Sequence, residues 1–261
     1  MVSHTFAICA YKQSPYLEEC ICSLTAQTVK SNIIIATSTP NDYIKALAEK
    51  YHLSLYINQG ESGIAQDWNF AYRQAKTDYV TIAHQDDYYQ PEYLENILNG
   101  LKCAEDPIIA FSDYGELRNG KKIDSNQLLT IKRILLLPLR IKGLWKSVRA
   151  RRLCLSLGNP VCCPSTTYVK KKFSEEPFQV KYASNVDWMM LERASKYKGE
   201  FCYVTKVSMY HRIHEESTTS EIIGNNARGQ EDYEMFCKFW PKGLAKIIAR
   251  VYGTSEKSNN I

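Results

Sequence analysis

The sequence predicts an α/β fold with a mostly parallel, doubly wound sheet and helices on both of its faces. Short apolar runs of strand length alternate with amphipathic stretches of helix length at least four times in residues 1–125. This alternation requires right-handed crossovers, which set consecutive strands parallel and place helices on both faces. Residues 126–261 are less regular and predict a more helical part. No repeat, low-complexity segment or long linker separates the two parts, so we expect a single domain over residues 1–261.

Five strands are predicted from apolar runs that meet polar residues at their ends. Such runs are typical of strands that are buried in a parallel sheet. They are residues 6–10 (FAICA), 32–36 (NIIIA), 53–57 (LSLYI), 79–83 (YVTIA) and 108–112 (IIAFS). Asn119 and Gly120 follow the fifth strand and form a dipeptide that is typical of a hairpin turn.

The helices are predicted from apolar residues at helical spacing. They cover residues 16–27, 42–50, 91–101, 127–158, 184–197 and 227–252, and residues 62–75 predict a loop that enters a further helix. Pro241 is a candidate break in the last of them, because proline lacks the backbone donor that a helix interior needs. Residues 201–220 predict a strand that leads into a polar loop with several histidines.

The bulk composition indicates a globular protein of the cytoplasm. The chain has 261 residues and a net charge of +5, which does not by itself indicate nucleic-acid binding. Its nine cysteines are odd in number and irregularly spaced, which is typical of reduced, cytoplasmic proteins. The N-terminus lacks a basic region followed by a long apolar run, so no signal peptide is expected. No stretch of about 18 apolar residues occurs, so no transmembrane helix is expected.

Two adjacent carboxylates follow the fourth predicted strand. The strand runs directly into His84, Gln85, Asp86 and Asp87. In sheets of this class, ligands bind outside the carboxyl ends of the strands. Carboxylate oxygens are the ligands that hard divalent cations such as Mg²⁺ and Mn²⁺ prefer, so a cation site is one interpretation. The alternative is a solvated capping turn before the helix that starts at Pro91.

Five segments of the chain, in a fixed order, resemble glycosyltransferase family 2, a large group of inverting enzymes with the GT-A fold. The segments are AYKQSPYLEECICSL, SGIAQDWNFAYRQA, YVTIAHQDDYYQPEYL, NVDWMMLERA and HRIHEES. One segment alone is a weak signal, whereas five in order, each in a fitting structural context, are specific. The resemblance covers most of the chain. It implies a nucleotide-diphosphate sugar bound across the strand ends of residues 1–125 and an acceptor bound by residues 126–261.

The resemblance also implies which residues line the donor pocket. They are Ala10, Tyr11, Thr37, Ser38, Asp67, Asn69, Gln85 and Arg212. Tyr11 is placed to stack on the base, although a tyrosine at a strand end is as often part of a core. Thr37 and Ser38 stand where many relatives carry an acidic residue, and they equally suit a turn. Arg212 would pair with phosphate.

The metal motif of the family is usually Asp-x-Asp, and this sequence departs from it at His84. The departure leaves Asp86 as the best metal ligand, with Asp87 beside it. The resemblance implies that Mg²⁺ or Mn²⁺ neutralises charge on the leaving nucleotide diphosphate. His214, in the segment that resembles the family's closing loop, is a candidate metal ligand or phosphate contact, whereas His211 is a candidate structural residue.

Asp187 matches the carboxylate that serves as catalytic base in the family. An inverting transfer needs one base to take the proton from the acceptor hydroxyl. In the family this base is an aspartate at the head of a late helix, and NVDWMMLERA places Asp187 there. The alternative is a carboxylate that is favoured near a helix start by the helix dipole alone.

Residues 131–153 carry eight basic residues and no acidic one. Leucines and Trp145 lie between the charges, which predicts a pair of interfacial helices that bind an anionic membrane surface. A solvated basic face over ordinary core leucines is the alternative. Nucleic-acid binding is disfavoured, because no nucleic-acid motif accompanies the stretch. A membrane face would suit a lipid-linked acceptor at the inner side of the cell membrane.

The sequence therefore favours a metal-dependent, inverting glycosyltransferase of hexosyl type, which acts on a glycan or lipid-linked acceptor in bacterial surface-polysaccharide synthesis. A sugar nucleotidyltransferase is a second hypothesis, but it would need a glycine-rich phosphate loop after the first strand, where CAYKQSPY has no glycine. A binding module that has lost its chemistry is the third. His84 in place of an acid is the only support for that hypothesis.

Overall fold

The structure, a computed structural model, describes residues 3–214 and 227–257. Its strands are β1 (His4–Ala10), β2 (Asn32–Thr37), β3 (Ser54–Ile57), β4 (Tyr79–His84), β5 (Tyr88–Tyr89), β6 (Pro107–Arg118), β7 (Lys121–Ile123), β8 (Thr166–Val169) and β9 (Glu200–Ile213). Its helices are α1 (Leu17–Thr25), α2 (Asp42–Lys50), α3 (Ile64–Gln74), α4 (Tyr93–Lys102), α5 (Gln127–Leu135), α6 (Val148–Leu155), α7 (Val186–Ala194), α8 (Ala227–Phe236) and α9 (Lys242–Lys257).

The strands of the described residues form one sheet in the order β3-β2-β1-β4-β8-β6-β9-β5, and β7 pairs with β6. The pairs β3–β2, β2–β1, β1–β4 and β6–β9 are parallel, whereas β8 is antiparallel to both of its neighbours. The predicted α/β fold with a mostly parallel sheet is therefore confirmed. Strands from both parts of the chain alternate across it, since β8 lies between β4 and β6.

The apolar runs form strands because both faces of the sheet are covered by helices. Phe6 and Ile8 of β1 are fully buried, as are Val80 and Ile82 of β4. Alternate residues of a strand point to opposite faces, so a strand buried on both faces must be apolar throughout. All five strands predicted in the first half are present as β1, β2, β3, β4 and β6. The sequence did not indicate β8, which has only four residues.

Local signals at turns and caps predicted several boundaries correctly. The α2 helix starts after Asn41, whose side chain accepts a hydrogen bond from Ile44 N (2.9 Å). Asn119 and Gly120 have φ angles of 50° and 74°, which is the left-handed conformation that a tight hairpin requires. They connect β6 to β7 as predicted. Pro241 separates α8 from α9, so the predicted break is confirmed.

The strand β5 has two residues, but it determines where the acidic turn lies. Tyr88 and Tyr89 pair antiparallel with Tyr210 and Met209 of β9. This pairing places the turn after β4 beside the carboxyl end of β9. The strand expected within residues 201–220 is β9 up to Ile213, and residues 215–220 of the expected polar loop lie outside the described residues.

The basic segment is not one continuous helix. It contains α5, two short 3-10 turns over residues 137–140 and 142–144, and α6. Four of its eight basic residues are held inside the protein rather than displayed on a basic face. Two of them bind side chains of β6: Lys132 donates to Tyr114 Oη (2.8 Å), and Arg133 donates to Asp113 Oδ2 (2.7 Å). The other two bind elsewhere: Arg151 donates to Gly199 O (2.9 Å), and Arg152 donates to Glu192 Oε1 (2.6 Å). These four cations are therefore not available to a membrane surface or to a solvated basic face, because carboxylates, a phenol and backbone carbonyls lie within their reach. The predicted pair of interfacial helices stays a prediction for the rest of the segment.

Within residues 3–214 and 227–257, we find no helix with both the length and the apolarity needed to cross a bilayer.

Candidate active site

The acidic turn after β4 is bound directly to the end of β9. Asp87 is fully buried, and its Oδ1 accepts hydrogen bonds from the backbone N of Arg212 (3.0 Å) and from Nδ1 of His211 (2.9 Å). A second hydrogen bond joins Asp86 Oδ2 to His214 Nε2 (2.9 Å). The two carboxylates are therefore ordered by β9 rather than left in solvent, which argues against a simple solvated turn.

Three side chains at this turn lie close enough to hold one metal ion. Ligand atoms of His84, Asp86 and Asp87 all lie within 4.8 Å of one another. Among the described residues, neither Asp87 Oδ2 nor His84 Nε2 has a hydrogen-bond partner, although both atoms are buried. Buried polar atoms without a partner are rare, so this group fits a bound cation. The group would offer an ion two carboxylate oxygens and one imidazole nitrogen.

The histidines around the turn keep its first carboxylate charged. Burial favours a higher pKa for Asp86, but the hydrogen bond to His214 and the charges of His84 and His211 outweigh it, so the pKa is lowered. Burial also favours a lower pKa for His211, but the charge and the hydrogen bond of Asp87 outweigh it, so that pKa is raised. The turn therefore presents an anion at neutral pH, which is the state that binds a cation.

Arg212 supports the turn from the side of β9. Its Nε donates to the backbone oxygen of Asp86 (2.7 Å), and its guanidinium forms an ion pair with Glu19. The guanidinium carbon lies 4.2 Å from the ring centroid of Tyr16. These contacts hold the backbone of the acidic turn in place. The expected contact of Arg212 with phosphate stays a prediction.

Gln85 connects the end of β4 to the end of β1. Its Oε1 accepts from the backbone N of Tyr11 (3.0 Å), and its Nε2 donates to the backbone oxygen of Tyr11 (2.9 Å). This pair continues the β1–β4 ladder, whose last backbone register pair is Cys9 and His84. Ala10 is buried in the sheet, whereas Tyr11 is 40% exposed. The Tyr11 ring is therefore accessible at the strand ends, where the sequence predicts the nucleoside.

Ser38 and Asp67 come together at the end of β2. Ser38 Oγ donates to Asp67 Oδ2 (2.8 Å), and Asn58 Nδ2 donates to Asp67 Oδ1 (2.9 Å). Thr37 is buried, and its Oγ1 accepts from the backbone N of Thr39 (3.0 Å). Hence Ser38 and Asp67 line the same strand-end region, while Thr37 shapes the turn after β2.

Asn69 lies in the protein interior. It is 3% exposed, its Nδ2 donates to Phe178 O (2.7 Å), and its Oδ1 accepts from Phe178 N (2.9 Å). This pair of hydrogen bonds joins α3 to the chain before α7. These two hydrogen bonds explain the buried position of the Asn69 side chain without a ligand. Its expected role in the donor pocket stays a prediction.

Asp187 lies in the first turn of α7, as the sequence predicts. The helix is anchored by Trp188, which is fully buried and donates from Nε1 to Leu155 O (3.1 Å). Asp187 Oδ1 accepts from the backbone N of Trp188 (2.7 Å), and Oδ2 accepts from Asn159 Nδ2 (2.8 Å). Burial raises the pKa of Asp187. A raised pKa brings a carboxyl group closer to the working range of a general base.

Two residues beside Asp187 were not assigned by sequence reasoning. Asn159 orients the carboxylate, and the charge of Lys132 lowers the pKa of Asp187 against the larger effect of burial. Lys132 had been grouped with the basic stretch, and Asn159 lies in a segment without an assigned role. Neither carries a sequence signal, because each is separated from Asp187 by at least 28 residues.

The acidic turn and Asp187 are linked electrostatically through His84. The charge of His84 acts on the pKa of both Asp86 and Asp187. One imidazole at the end of β4 therefore lies within electrostatic reach of both carboxylates. The arrangement offers a cation site on one side and a buried carboxylate acceptor for a proton on the other.

Comparison with known proteins identifies the family of the chain. The model of glycosyl transferase family 2 matches residues 5–176. Glycosyltransferase GlyA of Streptococcus pneumoniae serotype 4 is 28% identical over 98 residues, which are 36% of this chain and 14% of GlyA. The chain thus matches only a small part of that relative.

Solved structures show the same fold. The S. aureus TarS 1-349 structure in complex with UDP-GlcNAc has a TM-score of 0.63 at 16% identity, over 95% of this chain and 70% of that one. The structure of S. aureus TarS has a TM-score of 0.60 at 15% identity, over 95% of this chain and 42% of that one. At these identities the likeness concerns the fold alone. With the family model covering well over half of its length, the chain belongs to glycosyl transferase family 2 and has the GT-A fold.

Proposed function

We propose that the protein is an inverting glycosyltransferase that moves a sugar from a nucleotide-diphosphate donor to a hydroxyl group of a glycan or lipid-linked acceptor. The observation that carries this proposal is the group of His84, Asp86 and Asp87 at the end of β4, with Asp187 nearby. The group at the end of β4 can bind a cation, and the carboxylate of Asp187 can accept a proton. Transfer of a sugar from a diphosphate to a hydroxyl needs both.

The donor binds across the strand ends of residues 1–125 in this proposal. The exposed ring of Tyr11 is available for stacking, and Ser38 with Asp67 offers hydrogen-bonding groups to a ribose or base. The solved TarS complex contains UDP-GlcNAc, so uridine nucleotides are the first donors to test. The roles of Ala10, Thr37, Asn69, Gln85 and Arg212 are then to shape and support this pocket.

His84, Asp86 and Asp87 would hold the metal ion, with His214 beside them. When bound, a divalent ion neutralises negative charge that develops on the leaving diphosphate. The chain itself keeps Asp86 ionised through its histidine neighbours and orders Asp87 through His211 and Arg212. These contacts preorganise the anionic groups before any ligand arrives.

Asp187 is the proposed catalytic base. Its carboxylate takes the proton of the acceptor hydroxyl while that oxygen attacks the anomeric carbon. The new glycosidic bond forms on one face of the sugar as the bond to the diphosphate oxygen breaks on the other, which inverts the configuration. The electron pair leaves with the nucleotide diphosphate. Asn159 and the first turn of α7 fix the direction of the carboxylate.

Residues 126–261 receive the acceptor in this proposal, within the single domain predicted for residues 1–261. Asp187 and its neighbours Asn159 and Lys132 all belong to this part. Membership of the family supports a place in bacterial surface-polysaccharide synthesis, at the cytoplasmic side of the cell membrane. Against the hypothesis of a module without chemistry, the proposal gives His84 a place in the candidate metal group.

Thermal stability against nucleotide diphosphates, with and without Mn²⁺, tests the proposal. A ligand that binds only the folded state raises the Tm by mass action. We expect a Tm increase for one nucleotide that requires Mn²⁺, and we expect Asp86→Asn to abolish it. Asp42→Asn is the matched control, because Asp42 is fully exposed in the first turn of α2. If no nucleotide shifts the Tm of the folded protein, the proposal fails.

A further inference from the structure

We propose that α9 and residues 127–157 form a membrane-binding surface that takes the anionic face of a lipid bilayer. This inference goes beyond the proposed transfer reaction and does not depend on its chemistry. It rests on three observations: where apolar side chains are exposed, where acidic residues are missing, and how the two segments pack together.

Exposed large apolar side chains are concentrated in these two segments. Of the thirteen such residues among the described residues, ten belong to them. Scattered single cases need no explanation, whereas a concentration of this kind marks an interaction site. The ten are Ile131, Ile134, Leu137, Ile141, Val148, Leu153, Leu157, Leu244, Ile247 and Val251.

The helix α9 displays an apolar stripe to the outside. Leu244, Ile247 and Val251 are spaced by three and four residues, so they lie on one face of the helix. They are 42%, 60% and 64% exposed. The opposite face packs inward, where Ala245 is fully buried and Tyr252 contacts the ring of Trp188 (centroid distance 6.0 Å). The helix therefore has an apolar face on each side: one packs inward, and the side chains of the other are largely exposed.

The charges on these segments are positive except for Glu256 near the end of α9. The sequence has no aspartate or glutamate in residues 125–174 or in residues 235–255. Exposed lysines and arginines lie between the apolar residues instead. They are Arg140, Lys142, Lys146, Arg149, Lys242, Lys246 and Arg250. Such side chains can place their apolar stems along hydrocarbon while their charges reach lipid phosphates.

The two segments lie next to each other. The indole Nε1 of Trp240, which precedes α9, donates to Ser156 O (2.7 Å). The ring of Tyr252 lies so close to Gly158 that a Cβ atom there would come within 2.8 Å of it. Leu157 and Val251 are the sequence neighbours of this contact. The end of the first segment, with exposed Leu157, and α9, with exposed Val251, therefore adjoin at the surface.

A bilayer fits this surface better than a second copy of the chain. A two-fold dimer through the same surface would bring the basic residues of one copy against those of the other. Residues 127–157 contain no acidic side chain, and α9 contains only Glu256 near its end, so little would offset that repulsion. A bilayer that contains anionic lipid supplies hydrocarbon for the aliphatic side chains and negative charge for the cations.

Sedimentation with lipid vesicles tests the inference. The full chain is mixed with vesicles of phosphatidylcholine alone or with added phosphatidylglycerol. We expect binding to the anionic vesicles, weakened by salt. Val251→Glu should lower the partition constant roughly ten-fold, and Arg250→Gln about five-fold, since each cation near an anionic surface adds a similar factor. The matched control is Val180→Glu, because Val180 is 62% exposed but lies outside both segments.

Three outcomes would overturn the inference. The wild-type protein would fail to bind anionic vesicles, or Val180→Glu would weaken binding as much as Val251→Glu. In the third, light scattering would show a dimer that Val251→Glu dissociates, so that a second copy covers the surface. Nucleotide-dependent Tm shifts, measured without vesicles on the same variants, separate these outcomes from a failure of the proposed transfer function. If Val251→Glu does not fold, Arg250→Gln with Lys246→Gln provides the decisive comparison.

Discussion

Asp86 and Asp187 are the same residue type in two regions of one site, and their environments act on them in opposite directions. Both are buried enough for desolvation to favour the neutral form. At Asp86, the hydrogen bond to His214 and two further imidazoles outweigh that effect and lower the pKa. At Asp187, the neighbouring charges are weaker and desolvation prevails, so the pKa is raised.

The difference shows that neighbours, rather than residue type, decide what a carboxylate can do. As the proposed metal ligand, Asp86 must stay ionised in the absence of the metal, and the neighbouring histidines His84, His211 and His214 favour that state. A general base must release its proton again, and a raised pKa brings it nearer to the working pH. The acidic turn and the start of α7 are thus specialised by the elements packed against them.

The largest effect is expected from Asp187→Asn. An amide cannot accept the acceptor proton, so transfer should fall by about 10²–10⁴-fold, the usual contribution of a general base. Nucleotide binding should be unchanged, because the acidic turn is intact. Transfer measured with donor and acceptor, beside nucleotide titration, checks both statements. Full transfer activity in the folded variant would remove Asp187 from the role of base.

Asp86→Asn should act mainly on metal-dependent nucleotide binding, whereas Asp187→Asn should act on transfer alone. It removes the negative charge that a cation needs. Loss of a residue that only supports a metal ligand lowers metal affinity by about 10–100-fold, so loss of the ligand itself should lower metal-dependent nucleotide binding by more. The pH dependence that arises from Asp187 should persist in the residual activity. Calorimetric titration with Mn²⁺ and nucleotide measures the loss. Equal affinity of the wild type and the variant for Mn²⁺ and nucleotide would show that Asp86 is not the metal ligand.

Asn159→Ala should have an intermediate effect at the base only. The variant loses the hydrogen bond to Asp187 Oδ2, and a hydrogen bond to a charged group contributes about 1.5–3 kcal/mol. We expect transfer to fall roughly ten-fold or somewhat more, with Mn²⁺-dependent nucleotide binding unchanged. Asn96→Ala is the control, since the Asn96 side chain donates to Ser208 Oγ (3.3 Å) instead of to Asp187. An equal loss in both variants would indicate general destabilisation.

The smallest effect is a shift in pH dependence. The charge of Lys132 lowers the pKa of Asp187, so Lys132→Met should raise that pKa further. Because only the ionised carboxylate accepts a proton, kcat/KM should fall as pH drops through this pKa, and in the variant the fall should begin at a higher pH. Lys146→Met, in the same basic segment but exposed, should leave the profile unchanged. Identical profiles for Lys132→Met and the wild type would contradict the assignment.

Patterns within short stretches predicted a large part of the fold and the position of both carboxylates. Apolar runs marked β1 to β4 and β6, Asn119 and Gly120 marked the hairpin, and Pro241 marked the break before α9. Asp86 at a strand end and Asp187 at a helix start followed from the same patterns. The strands β5 and β8 were not predicted, since β5 has only two residues and β8 (TTYV) begins with two threonines instead of a continuous apolar run.

The sequence by itself thus determined which elements form and where acidic residues meet their ends, because these properties depend on neighbours along the chain. The tertiary structure alone decided the partners of each carboxylate. His211 and His214 reach Asp87 and Asp86 across 124 and 128 residues of sequence. Charge and desolvation act through distance in space, and β5 sets that distance by pairing the acidic turn with β9. For this reason the opposite pKa shifts of Asp86 and Asp187 emerge only once the sheet is assembled.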